Sequence, residues 1–348
     1  MPKAMPHIGR VFAGAAMGVA LLLTSACGGG GGDAGGEGGE GGDSALPVLR
    51  FQVLESDPAS IPLQIMMDQG IDEKHGFKAE EVVVDPDASL STFLLGESDI
   101  ATDQDGISLA IAQQEGKNAV GFAGALNMMT GVVASDASGI NTPEELRGRR
   151  VGHFGLDTGT TTAINVMFDE LYNINITEDL DLREAGAAAL PELMASGQVD
   201  AIFDYEPFAL RATMLGGKYI FQPAKAWAEH TGGYSPNLAL LAARTEWLDQ
   251  NRDLAIKARD AWFEAIKVIG DSNYEILKEQ KYADILSLRD EAELDAFVKY
   301  CADLPCYPTE WSQRDVDGTM EWLQLFADRK LLIESMPAQP VAVDLEDS

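Results

Sequence analysis

The chain has 348 residues, with 25 Lys and Arg against 56 Asp and Glu, for a formal net charge of −31 at pH 7. Such an acidic surface repels nucleic acid and anionic headgroups, which excludes nucleic-acid binding as a function. Only three cysteines are present, at Cys27, Cys301 and Cys306, and none falls in a zinc-type spacing.

The chain opens with Lys3 and Arg10 ahead of an apolar run over 11–23, then Thr24-Ser25-Ala26-Cys27 and glycines. A basic start, a short apolar stretch and small residues before a cleavage point describe an export signal, and the run is too short for a membrane span. A Cys placed directly after small residues resembles a bacterial lipoprotein signal, in which that Cys is acylated; Thr24 departs from the Leu usual there. This gives a signal over 1–26 with Cys27 as the lipid attachment point. The Gly-rich stretch over 27–46 has nothing to bury and reads as a flexible tether.

From residue 47 onward, apolar strand-like runs alternate with segments of helical period. Strands are expected over 48–54, 80–84, 100–101 and 119–124, with helices starting near Ser60 and over 88–95 and 108–114. A second series begins with a strand over 131–135 and continues through the strand 151–154. A Gly- and Thr-rich loop over 155–162 then enters a helix reaching Tyr172. Next come a helix over 190–196, a strand over 199–203 and a loop Asp204-Tyr205-Glu206-Pro207. Pro207 suits the first turn of a helix over 208–215, which is followed by a strand over 219–221. The run 238–243 returns as a strand. Leu254, Ala258, Ala261, Trp262, Ala265, Ile266 and Ile269 then share one helical face. Shorter helices fill the chain to about 332, and a loose tail is expected over 336–348. The fold class is therefore α/β, with two open, mostly parallel sheets. One lobe is expected over 47–130 plus 240–335 and the other over 131–239, and a ligand would sit between them at the carboxyl ends of both sheets.

Unpaired N–H groups at a helix start, together with Thr158, Gly159, Thr160 and Thr161, offer donors to a ligand; an ordinary capped turn has the same residues. Of the four histidines, His75, His153 and His230 are isolated from any metal or nucleophile motif. No Gly-x-Ser-x-Gly elbow or phosphate loop occurs. Asp103 and Asp105 alone supply too few ligands for a calcium site. In an exported protein, Cys301 and Cys306 on either side of Pro305 are expected to form a local disulfide, the alternative being a buried free pair.

The pieces "GIDEKHGFKAE", "FLLGESDIATDQD", "LRGRRVGHFGLDTGTTT", "ASGQVDAIFDYEPFALRA" and "ALLAARTEWLDQNRDLAIKARDAWFEAIK" follow one another along the chain. In this order they resemble the successive signatures of substrate-binding proteins of the alkanesulfonate, nitrate, taurine and thiamine-precursor type, from residue 47 to about 332. The resemblance implies the type II periplasmic binding fold with two crossover segments, a monomer without cofactor, and a clamp presenting a small molecule to ABC permease subunits. It implies ligand-facing positions at Asp57, Ser60, Asp103, Gln104, Asp105 and Asn127 in the first lobe. In the second lobe it implies Phe154, Asp157, Thr158, Gly159, Thr160, Thr161, Asp204, Tyr205 and Glu206, with Tyr234 near the return crossing. Asp103 and Asp105 also read as a solvated turn, Tyr205 as sheet-edge packing, and Glu206 as a cap on the helix after Pro207.

Acids outnumber bases around these loops, while Arg147, Arg149 and Arg150 precede their strand, at its far end from the pocket. Carboxylates and aromatic rings suit a nitrogenous ligand, with a thiamine-precursor-like pyrimidine favoured. The Thr-rich helix start keeps alkanesulfonate, taurine and nitrate open. A pyrimidine-synthase-like enzyme shares the fold, but such enzymes are not exported and carry a cysteine-rich motif missing here.

Overall fold

The computed structural model describes residues 45–54, 57–156 and 158–346, apart from the side chain of Asp87. The export signal, Cys27, the tether up to residue 44, and Asp157 lie outside the described residues. Among the described residues ten strands are present: β1 (Val48–Leu54), β2 (Lys78–Val84), β3 (Ile100–Gln104), β4 (Ala119–Asn127), β5 (Thr130–Ser135), β6 (Arg150–His153), β7 (Asp181–Glu184), β8 (Ala201–Tyr205), β9 (Gly217–Phe221) and β10 (Asn237–Arg244). They form two five-stranded sheets, ordered β2-β1-β3-β10-β4 and β7-β6-β8-β5-β9. In each sheet the first three strands run parallel, and the strand that has just crossed from the other sheet, β10 or β5, is antiparallel to its neighbours.

The two sheets repeat a local device. Arg50, near the start of β1, reaches Asp99 at 2.8 Å, and Arg150, which opens β6, reaches Asp200 at 2.6 Å. Both pairs sit at the amino ends of their strands. The Arg150 guanidinium therefore closes the far end of the second sheet, and the carboxyl ends of the strands remain for the site.

Edges account for the departures from the sequence reading. β7 is a charged, partly exposed edge strand, Asp-Leu-Arg-Glu, without the apolar alternation that announces a strand. β10 already pairs at Asn237 with Asn127, so residues 237–239 join the first sheet and not the second lobe. The tail is not loose over its described part. Gly121 of edge strand β4 bridges to Ala342, with its N–H donating to the Val341 carbonyl at 2.8 Å and its carbonyl accepting from Val343 at 2.9 Å. Val341, Ala342 and Leu345 are buried. β4 is an apolar run that would otherwise expose unpaired backbone groups, and the tail covers them.

The helix Arg252–Asp271 buries the expected stripe, with alanines at 255, 258, 261 and 265 beside Trp262, Ile266 and Ile269. Small residues on that face allow close approach to the helix Ile61–Asp68 of the first lobe. The later helices also reach across to the second lobe. Glu293, in Glu291–Asp303, accepts from Arg211 of Phe208–Met214 at 2.8 Å, with both side chains nearly fully buried. Trp322, in Gln313–Arg329, packs edge-to-face on Trp227 at 5.1 Å, and Arg329 pairs with Asp169 and Glu170. Cys301 and Cys306 are joined by a disulfide.

Candidate functional site

β1 ends at Leu54, and Asp57 caps the short turn Pro58–Ser60, its Oδ1 accepting the Ala59 N–H at 2.9 Å. Burial pushes this carboxyl up to about 7, against the Ala59 hydrogen bond, and Asp103 adds to the rise. β3 ends before Asp105, the cap of the helix Gly106–Gln114, whose Oδ1 accepts from the Ser108 amide at 2.7 Å. Burial raises the Asp105 carboxyl as well. Across the gap, β6 leads through Gly155, at φ 137°, to Thr158, the cap of the helix Gly159–Tyr172. Gly159 faces Asp105 so closely that a Cβ there would stand 3.4 Å from Asp105 Oδ2; glycine lets the two lobes meet at this point.

Between these elements lies a cavity of about 330 Å³, within the size range of small-molecule sites. Its first-lobe wall includes Leu54, Asp57, Pro58, Asp105 and Leu126; its second-lobe wall includes Phe154, Thr158, Gly159, Thr160, Tyr205 and Glu206. Phe154 and Tyr205 stand edge-to-face at 5.3 Å, and Tyr205 meets Phe208 in the same way at 5.2 Å. Burial pushes the Tyr205 hydroxyl up to about 12, with Asp204 and Asp57 contributing. No Lys or Arg is among the described lining residues.

The NMT1-like family model matches residues 59–279. The chain belongs to the NMT1-like family. No curated protein matches it. Among solved structures, the NMT1-like chain is similar to the periplasmic aliphatic sulphonate-binding protein of Escherichia coli, at 14% identity and TM-score 0.65, over 87% of this chain and 97% of that one. It is similar to the alkanesulfonate-binding protein of Xanthomonas axonopodis pv. citri, bound to MOPS, at 15% identity and TM-score 0.64, over 86% and 99%. The periplasmic nitrate-binding protein of Synechocystis follows at 12% identity and TM-score 0.58, over 84% and 83%. The fold is thus the two-lobed type of periplasmic binding proteins.

Several residues expected in the site of this NMT1-like chain lie outside the cavity lining. Ser60 is buried, with its hydroxyl donating to the Asp57 carbonyl at 2.7 Å, so it shapes the turn. Asp103 and Gln104 belong to a network beneath the cleft. The Gln52 amide donates to Asp103 at 3.2 Å, the Gln104 amide donates to Ser89 Oγ at 2.6 Å, and Ser89 donates to Asp103. Asn127 turns to the Pro305 carbonyl at 2.9 Å, behind the crossing. Thr161 is consumed by the cap, accepting the Thr158 hydroxyl at 3.0 Å. Asp204 is fully buried; its Oδ1 accepts from the Tyr205 amide at 3.0 Å and its Oδ2 has no partner among the described residues, and burial raises it well above the carboxylate range. Tyr234 is buried against Gly318, 3.4 Å from Thr319 Oγ1.

Glu206 lines the cavity, but both of its oxygens are engaged. Oε2 accepts from the Leu210 amide at 2.8 Å and Oε1 from the Tyr219 hydroxyl at 2.7 Å, while burial holds the carboxyl up at about 7. Pro207 precedes the helix Phe208–Met214 as its cap residue, not as its first turn. His153 is buried in β6 with Nδ1 accepting the Gly155 N–H at 3.1 Å, and burial lowers its pKa. Met129, Pro86 and Leu238 line the cavity without any chemical signal in the sequence, being apolar residues at strand ends and crossings. Among the described residues no group of three or more His, Cys, Asp or Glu is placed to hold a metal.

Proposed function

We propose that this NMT1-like chain is the extracytoplasmic solute-binding component of an ABC-type importer, exported and tethered through acylated Cys27. It closes two lobes on a small nitrogenous nutrient and hands it to permease subunits. Family membership and the two-lobed fold support the carrier role, and the named fold relatives are binding proteins. The ligand-facing set is Asp57, Asp105, Phe154, Thr158, Gly159, Thr160 and Tyr205, with Asp157 beside them in sequence.

The ligand class rests on one observation: carboxyls and rings surround the cavity, with no Lys or Arg among the described lining residues. An oxyanion would meet carboxyls without the guanidinium or ammonium that normally neutralises it. A carboxyl held near neutrality can donate to a ring nitrogen and accept from an adjacent amino group, and Phe154 and Tyr205 supply faces for the ring. An aminopyrimidine of the thiamine-precursor type satisfies all of these. The second reading, an alkanesulfonate, taurine or nitrate, is favoured by Thr158 and Thr160 at a helix start and by the fold relatives named above.

A thermal-shift panel decides between them, because saturating ligand at about 100 times Kd adds about 2.7 kcal/mol of stability. Aminopyrimidines are expected to raise the melting temperature and to be recovered unchanged after long incubation. Stabilisation by alkanesulfonates alone would overturn the ligand class, and turnover of the ligand would overturn the carrier role. The anchor has its own test: Cys27→Ser is expected to move the protein from the membrane to the soluble fraction, and retention of the mutant would contradict acylation.

A further inference from the structure

A second and larger cavity, of about 980 Å³, lies behind the crossing segments. The Glu206–Tyr219 pair stands between the two spaces: Glu206 lines the front cavity and Tyr219 the rear one. Leu210, Tyr219 and Ala224 contribute apolar and aromatic surface from the second lobe, and Tyr300 and Leu304 contribute it from the first. Two hydroxyls on this lining, Tyr300 OH and Ser235 Oγ, are buried and have no hydrogen-bond partner of good geometry among the described residues, and Tyr300 as a residue is only 8% exposed. The Tyr300 hydroxyl lies beside Glu206, whose two oxygens already accept from the Leu210 amide and the Tyr219 hydroxyl. Leaving such groups unpaired is costly, and a bound polar molecule removes the cost.

The rim carries charge in matched halves. Lys225 and Glu229 are one turn apart on the helix Pro223–Thr231, and Lys299 and Asp303 are one turn apart on Glu291–Asp303. None of the four makes an ion pair among the described residues. We propose that this rear cavity is a second small-molecule site, built for a zwitterion with an apolar or aromatic body, of the amino-acid type. The body lies on Tyr219, Tyr300 and Leu210. The hydroxyls bond the head group, and its ammonium and carboxylate meet the unpaired acids and lysines. A ligand of net charge would satisfy only one half of the rim. Because the walls come from both lobes, occupancy favours one interlobe angle, so the rear site and the front cleft influence each other's affinity reciprocally.

The test is calorimetric titration of the full chain with L-phenylalanine, benzoate and phenethylamine. L-phenylalanine is expected to bind 1:1 and about tenfold more tightly than either singly charged probe. Tyr300→Phe, which keeps the ring, is expected to weaken binding about tenfold. Ala228→Trp, which fills the cavity, is expected to abolish binding, while Phe154→Ala in the front cleft is expected to change it far less. Matching melting temperatures show that the variants are folded. Absence of saturable binding by L-phenylalanine, equal binding of all three probes, or binding lost in Phe154→Ala and retained in Ala228→Trp would overturn the proposal.

Discussion

Asp57 carries an unusual load for a carboxyl beside a solvent-accessible cleft. Its pKa lies at about 7 because burial disfavours the charged form more than the Ala59 amide favours it. The folded state therefore binds a proton that the unfolded state has lost once pH exceeds the ordinary Asp value. The stability this proton confers is fully present at low pH and is lost as pH rises through about 7. Asp57→Asn removes the burden: at pH 8 it is expected to stabilise the empty protein by on the order of 2 kcal/mol, a gain that fades toward pH 4, as read by urea unfolding at both values. The same substitution is expected to weaken a cationic or amino-bearing ligand, because the carboxylate that would balance it is gone. A destabilised Asp57→Asn protein at pH 8 would contradict this account of the residue.

At the scale of elements, the lobes are joined by more than their crossing strands. Arg211 reaches from the helix Phe208–Met214 to Glu293 on the helix Glu291–Asp303, and Arg289 approaches the same carboxylate at 2.7 Å. Burial raises the Glu293 carboxyl, but the two guanidiniums outweigh it and hold it at about 2, so its contribution is lost only as pH falls through that value. Arg211→Ala is expected to cost about 3 kcal/mol in urea unfolding near neutral pH, since it leaves a buried carboxylate with one partner fewer. An unchanged midpoint would show that the pair contributes nothing net.

Elements also separate what the sequence could reveal from what it could not. The apolar runs of β1, β4, β8 and β10 and the alanine-rich stripe of Arg252–Asp271 are legible because burial on a period leaves its mark. β7 and the tail's bridge at Ala342 are not, because pairing at a sheet edge needs only backbone partners. Asp57 and Asp105 are legible as acids at strand ends. Asp103, two residues before Asp105, is equally so by pattern, yet it faces Gln52 and Ser89 beneath the cleft. Which of two neighbouring acids reaches the ligand space depends on how β3 ends, and composition does not encode that. Tyr234 shows the same limit, since only the fold brings Gly318 under its ring.

Across the whole molecule, the proposed action is that of a clamp. Each sheet contributes the carboxyl ends of its strands, Asp105 and Gly159 bring the lobes into contact, and a ligand touching both walls favours the closed arrangement because only there are both sets of contacts made. The most direct test is solution X-ray scattering of the full chain with and without a saturating aminopyrimidine identified by thermal shift. The radius of gyration is expected to fall on binding; saturation of the cleft with no compaction would contradict the two-lobe clamp.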